Sequence, residues 1–263
     1  QGAMAYTVSP VHTLDSWLDL AKRIEDAGAD SVAIKDMAGL LKPNDAFELV
    51  SNLKEKISVP IHMQTHATTG FSTATNMKAI EAGIDNIDTS ISSMSMTYGH
   101  TATETIISMF DHTKFFSDIN KNLFPELSSH FKKIRKKYEL YEGSLKGVDA
   151  SMLINQVPGG MLSNLESQLR EMDADDKFED VLNEIPRVRQ DLGFVPLVTP
   201  SSQIVGAQSL FNVLDGERYK HLNIETVNLI LGKYGKVPGK INKNLSNLAK
   251  KVKQEKQIQE DID

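Results

Sequence analysis

The sequence predicts an α/β protein in two parts, four βα units in a row followed by a region of helices alone. Two observations carry this. Short strand-like runs at 4–8, 31–36, 60–66 and 86–91 recur roughly every 26 to 30 residues, the spacing of βα units. Beyond residue 113 that alternation stops and only helical patterns follow.

The first unit opens with Met4–Val8. Leu14, Trp17, Leu18, Ala21 and Ile24 then fall at helical i, i+3, i+4, i+7 spacing, with Thr13 as N-cap and Gly28 as the stop. Ser31–Asp36 is the second strand, and Ala46, Leu49, Val50, Leu53 and Ile57 form the apolar face of a helix entered through Pro43. Pro60–His66 is the third strand, and the helix after Gly70 ends at Glu81-Ala82-Gly83, as the first ended at Asp26-Ala27-Gly28. Asn86–Ile91 is the fourth. Four successive βα units imply a parallel sheet, either an open doubly wound sheet or half of a (β/α)8 barrel, since four strands cannot close an eight-stranded one.

After Pro125, Leu127, Phe131, Ile134 and Tyr138 make an apolar stripe, with Lys132, Lys133, Arg135, Lys136 and Lys137 around it. This reads as a solvated helix face, with a basic docking face as the alternative. Further helices are predicted at 162–171, 177–192, 202–214 and 224–234. From Gly235 the chain is rich in Lys, Asn and Gln and reads as a linker or loosely held tail. The predicted division is therefore a half barrel at 1–113, a helical domain at 114–235 and a tail at 236–263. Gln1–Met4 runs straight into a strand, which suggests a chain cut from something longer.

The 263 residues carry a formal charge of −6, which argues against a nucleic-acid protein held by phosphate contacts. There is no cysteine, so disulfides, thiolate metal sites and a Cys nucleophile are excluded. That agrees with a cytoplasmic location. No apolar run reaches the length of a membrane span.

In parallel βα folds the reactive residues gather at the C-terminal ends of strands. The second strand ends in Lys35-Asp36, which on residues alone reads as an ion-paired rim lysine. The third ends in His62, Gln64 and His66, alternate positions on one face. Four residues of strand span about 13 Å. Zinc–nitrogen bonds are about 2.1 Å, so His62 and His66 cannot meet on one ion while the strand is extended. Gln64 and His66, about 6.6 Å apart, are better placed. His12 and His100 read as polar loop residues, and the run Ser92–Met96 as packing. No nucleotide-binding loop is found.

Several segments together resemble the biotin-dependent carboxyltransferases: Tyr6–Thr13, Ile34–Pro43, Thr65–Gly70, Asp88–Glu104, Gln156–Asn164 and Leu197–Gly206. The likeness extends to about residue 245. Within the family, Met94–His100, Gly216–Lys220 and Leu231–Pro238 look most like the α subunit of the sodium-pumping oxaloacetate decarboxylase; pyruvate carboxylase and the methylmalonyl-CoA transcarboxylase are the alternatives.

The resemblance implies an eight-stranded barrel followed by a helical domain, with this chain holding strands five to eight. It implies a divalent metal, usually zinc, whose ligands here are Lys35 as a carbamate, His66, and Gln64 where a second histidine is expected. It implies that Thr199 shuttles a proton between biotin and the enolate of pyruvate. Biotin would sit on a separate carrier domain. The implied partners are oxaloacetate and pyruvate, that carrier domain, membrane-embedded decarboxylase subunits, and the N-terminal half barrel that supplies the family's metal-binding Asp and substrate-binding Arg. A location at the inner face of the membrane would follow from such subunits. A half barrel with open edges is also expected to form homo-oligomers. A catalytically incomplete fragment serving as a scaffold is the remaining alternative, favoured by Gln64.

Overall fold

The computed structural model describes residues 1–115, 117–143 and 145–262, with side chains described as far as 254. The chain divides into two compact units. Residues 1–8 and 13–159 form the first, and 9–12 with 160–263 the second.

The first unit contains the predicted parallel sheet, in the order β1 (Gly2–Ala5), β2 (Val32–Asp36), β3 (Ile61–Thr65) and β4 (Asn86–Ile87). Helices α1 (Leu14–Asp26), α2 (Pro43–Lys56) and α3 (Ser72–Glu81) connect the strands. Thr13 caps α1 by accepting from the Ser16 amide, and Pro43 occupies the first turn of α2, where its lost N–H has no helical partner to miss. Met4, Ile34, Met63, Leu53 and Ile61 are essentially solvent-free in the core between sheet and helices. Each such side chain contributes about 1.5–3 kcal/mol through burial.

Two strands differ from the sequence reading. β1 starts at Gly2 and ends at Ala5; the Tyr6 amide still reaches the Lys35 carbonyl, but the chain turns at Ser9. β4 is only two residues long. Past Asp88 the chain leaves β3, and Ser90 instead exchanges backbone hydrogen bonds with Thr101 and Thr103.

The unit continues through α4 (Thr103–Met109), α5 (Phe124–Lys137) and the single turn α6 (Met152–Asn155). No residue of α5 is buried, and Leu127 and Phe131 of its apolar stripe are exposed. Although helical in grammar, α5 and α6 group with the strands rather than with the second unit.

The second unit holds most of α7 (Gly159–Glu171) with α8 (Phe178–Asp191), α9 (Ser201–Leu214), α10 (Ile224–Ile230) and α11 (Lys243–Ile262). The stretch expected to be a linker or loose tail is thus in large part helix. Leu245 and Ala249, one helical turn apart, bury themselves, and α11 packs on α10. Spaced apolar residues were hidden there by the surrounding Lys and Asn.

A polar network ties this unit together. Glu184, buried in α8, accepts from Asn212 at 2.8 Å and from the Arg218 Nε at 2.6 Å. Arg218 and Tyr219 also donate to Asp191, each at 2.8 Å, and Asn242 donates to the same carboxylate at 2.9 Å. Removing Arg218 leaves a buried carboxylate short of its cation, a loss that commonly costs several kcal/mol. Arg218→Ala is expected to destabilise the protein by about 2 kcal/mol, because Asn212 and Arg187 still face Glu184. Urea titration measures this; an unchanged midpoint would show that the network carries no such weight.

Candidate functional site at the C-terminal ends of the strands

Lys35 and Gln64 lie side by side, as paired residues of β2 and β3. Both are half-buried, on the face that alternates with the core-facing Ile34 and Met63. His66 follows where β3 ends. Its amide donates to the Asp36 carbonyl at 3.0 Å, which continues the ladder by one step. The structure therefore brings Lys35, Gln64 and His66 together at one end of the sheet.

The ion-paired reading of Lys35 is corrected. Neighbouring strand residues point to opposite faces. Asp36 is fully buried and accepts from the amides of Leu40 and Leu41 at 2.8 and 2.9 Å and from the Thr65 hydroxyl at 3.0 Å. Lys35 has no ion-pair or hydrogen-bond partner for its amine among the described residues. Asp36 instead fastens the loop after β2 to the end of β3. The Thr69 hydroxyl, donating to the Gly39 carbonyl at 2.5 Å, adds a second fastening.

His62 is committed elsewhere, with Nε2 2.7 Å from the Asp88 carboxylate. His66 has its Nδ1 2.6 Å from the Tyr98 carbonyl. A carbonyl oxygen only accepts, so Nδ1 carries the proton and a neutral His66 keeps its Nε2 lone pair. Burial pushes the His66 pKa down, and nearby His100 and Lys35 push the same way against the Tyr98 carbonyl, so the ring is held neutral. A neutral imidazole whose other nitrogen donates to a backbone carbonyl is the usual state of a metal ligand.

Tyr98 is itself fixed. Its hydroxyl accepts from the Leu145 amide at 3.2 Å, and its ring lies against Gly143 and Gly159. A Cβ at Gly159 would come within 2.2 Å of the ring. His100, read from sequence as a loop residue, lies beside His66 with ring centres 4.7 Å apart. Its place at the sheet's C-terminal end is the signal that marks it. The Ser92–Met96 run is not core packing: Met94 and Met96 are exposed, and only Ser95 is buried.

Thr199 belongs to the second unit. It is exposed, one residue before the Pro200 N-cap of α9, and the Thr199–Pro200 peptide bond is cis. His12 groups with the same unit, and burial, aided by Arg189, lowers its pKa to about 4.

The donor chemistry can be set against the implied divalent metal. His66 fits as an imidazole ligand. Lys35, with no partner, fits as the amine to be carbamylated. Gln64 offers an amide oxygen, a weaker donor toward zinc than imidazole. Among the described residues no three His, Asp or Glu side chains gather closely enough to hold a metal by themselves, so Lys35 is needed for the set.

Residues 6–130 match the HMGL-like family and residues 152–262 the conserved carboxylase domain family. The chain is 52% identical over 246 residues to one of the pyruvate carboxylase subunits of Methanocaldococcus jannaschii, covering 93% of this chain and 43% of that protein. It is 45% identical over 260 residues to the methylmalonyl-CoA carboxyltransferase 5S subunit of Propionibacterium freudenreichii, covering 98% of this chain and 51% of that protein. The chain belongs to the biotin-dependent carboxyltransferase family.

Its fold matches the carboxyl transferase domain of Rhizobium etli pyruvate carboxylase with a TM-score of 0.90 at 29% identity, over 95% of this chain and 44% of that one. The four parallel βα units and helical C-terminal part are thus a carboxyltransferase fold, about half the length of these relatives. Both named relatives correspond to the sequence alternatives rather than to oxaloacetate decarboxylase.

The buried Asp36 gives a test of this arrangement. Burial raises its carboxyl pKa from 3.8 to about 6, although the Leu41, Leu40 and Thr65 donors oppose the shift. The folded state then holds this proton more tightly than the unfolded chain does. Its contribution to stability falls as pH rises from about 4 to about 6. Asp36→Asn removes that titration, so its urea midpoint should change less between pH 4 and pH 7 than the parent's. An identical pH dependence in the two proteins would contradict the assignment.

Proposed function

We propose that this chain supplies part of the site at which a biotin-dependent enzyme moves a carboxyl group between biotin and the pyruvate–oxaloacetate pair. The observation that carries the reading is the convergence of Lys35, Gln64 and neutral His66 at the C-terminal end of β2 and β3. The family supports it. The proposed division, in the family's terms, is a half barrel at 1–113 and an associated helical domain at 114–235, of which α5 and α6 group with the compact unit of the strands.

In this reading Lys35, as a carbamate, would hold a divalent ion together with His66, with Gln64 as a weaker donor. Such an ion, zinc in the resemblance, supplies Lewis-acid stabilisation of the negative charge that grows on the substrate oxygen. Lys35 must be neutral to form its N–C bond to carbon dioxide, and it loses a proton in doing so. When oxaloacetate gives up its carboxyl group, the biotin nitrogen accepts it and releases a proton. Thr199 holds that proton at its hydroxyl and passes it to the enolate carbon, which yields pyruvate.

The Asp and Arg that the family draws from earlier strands are to come from a preceding half barrel, and biotin from a carrier domain. The oxaloacetate decarboxylase assignment, with membrane-embedded partners and sodium transport, rests on the resemblance of 94–100, 216–220 and 231–238. No described helix is long and apolar enough to cross a membrane. Gln64 favours the second reading, an incomplete scaffold.

Biotin-dependent release of pyruvate from oxaloacetate, assayed in the longer protein that carries this chain, separates these readings. Thr199→Ala is expected to lower kcat by about 10²–10⁴-fold, with Thr199→Ser retaining most of the rate. Lys35→Ala is expected to abolish turnover. Full activity in Thr199→Ala would remove the proton relay, and no activity in the parent would favour the scaffold.

A further inference from the structure

His66 and His100 hold each other's loops in a reciprocal clasp. His66 donates from Nδ1 to the Tyr98 carbonyl at 2.6 Å, and His100 has its Nδ1 3.1 Å from the Thr65 carbonyl. Between them the Ala67 amide donates to the Gly99 carbonyl at 2.8 Å. Both Nδ1 atoms face an oxygen that can only accept. In the neutral rings both Nε2 atoms therefore carry lone pairs, and neither has a partner among the described residues.

The ring centres lie 4.7 Å apart at an interplanar angle of 52°. An ion bound at Nε2 sits about 3.2 Å from its ring centre, so two rings on one ion have centres roughly 4.5 to 5.2 Å apart for bond angles between square and tetrahedral. The observed spacing falls in that range. Lys35 stands close enough for its charge to act on His66.

The loop presenting His100 is strained. Met96 and Thr97 are consecutive non-glycine residues at φ 64° and 51°. Such conformations persist only where the surroundings enforce them. Here the Met96 amide donates to the His100 carbonyl at 2.7 Å and the Gly99 amide to the Met96 carbonyl at 2.8 Å. The Tyr98 ring, lodged against Gly143 and Gly159, anchors the same turn.

We infer that His100 is the second imidazole of the divalent-metal site, supplying the strong nitrogen donor that the weaker Gln64 amide does not. This rests on the metal reading given above, and the test separates the two. The protein is the longer chain containing this sequence, and the probe is Co2+, followed by its visible absorption and by competition with a chelator. The parent is expected to bind one Co2+ at the site. His66→Ala and His100→Ala should each weaken binding at least about tenfold. His100→Asn retains a donor for the Thr65 carbonyl, and it should weaken binding equally while leaving the loop folded. Adding Gln64→His to His100→Ala should restore the affinity.

Absence of Co2+ binding by the parent overturns both the metal reading and this inference. If His66→Ala loses the ion while His100→Ala or His100→Asn keeps it, the inference falls and the metal reading stands. Failure of Gln64→His to restore binding would make His100 a structural clasp only.

Discussion

The site depends on the register between β2 and β3. Lys35 pairs with Gln64 and Asp36 with Thr65, and strand alternation then sorts the four side chains by face. Lys35 and Gln64 are left half-exposed where chemistry can reach them. Asp36 and Thr65 go into the interior and bond to each other. A slip of one residue would bury the lysine and expose the carboxylate, exchanging a functional face for an unpaired buried charge. The Leu40 and Leu41 amides are the further safeguard, since only a carboxylate in that place satisfies both. The loops after β2 and β3 inherit their positions from this pairing.

Much of this was legible in the sequence because strand and helix periods are local. The four βα units follow from short apolar runs and from glycine stops, and the shared face of Gln64 and His66 follows from alternation alone. What was not legible was longer-range. The Lys35–Asp36 dipeptide suggested an ion pair, but the partners of Asp36 are two amides four and five residues on and a threonine of the next strand. The shortness of β4 follows from Ser90 turning to pair with 101–103, which no strand pattern encodes. The helix at 243–262 was masked because Leu245 and Ala249 are sparse among polar residues, and burial rather than composition orders them.

His100 shows the same limit. From sequence it is a histidine in a Ser- and Met-rich loop, and that composition gives no reason to place it near His66. Its location is set by a chain of contacts beginning with the Tyr98 ring, which fits only because residues 143 and 159 lack a Cβ. The paired Nδ1–carbonyl bonds then fix both imidazole tautomers at once. Strand alternation reaches Lys35, Gln64 and His66, but a histidine carried beside them by a loop lies outside what it can place.

The sheet is open at both sides, with β1 and β4 each paired to a single neighbour. Open edges are normally where a sheet is least well held. Here the residues assigned to chemistry avoid them. Lys35, Asp36, Gln64 and Thr65 all lie on the two central strands and pair with each other across β2 and β3; Lys35 also pairs with Ala5 of β1, while β4 pairs only as far as Met63. The core beneath them, built on Ile34, Met63, Leu41 and Leu53, is likewise complete within the first unit. An ordered cluster at Lys35 and His66 therefore does not require the barrel to be closed. In the proposed function, closure serves the residues that a preceding half barrel is to supply, so holding the cluster in place and completing the proposed site are separable demands on the fold.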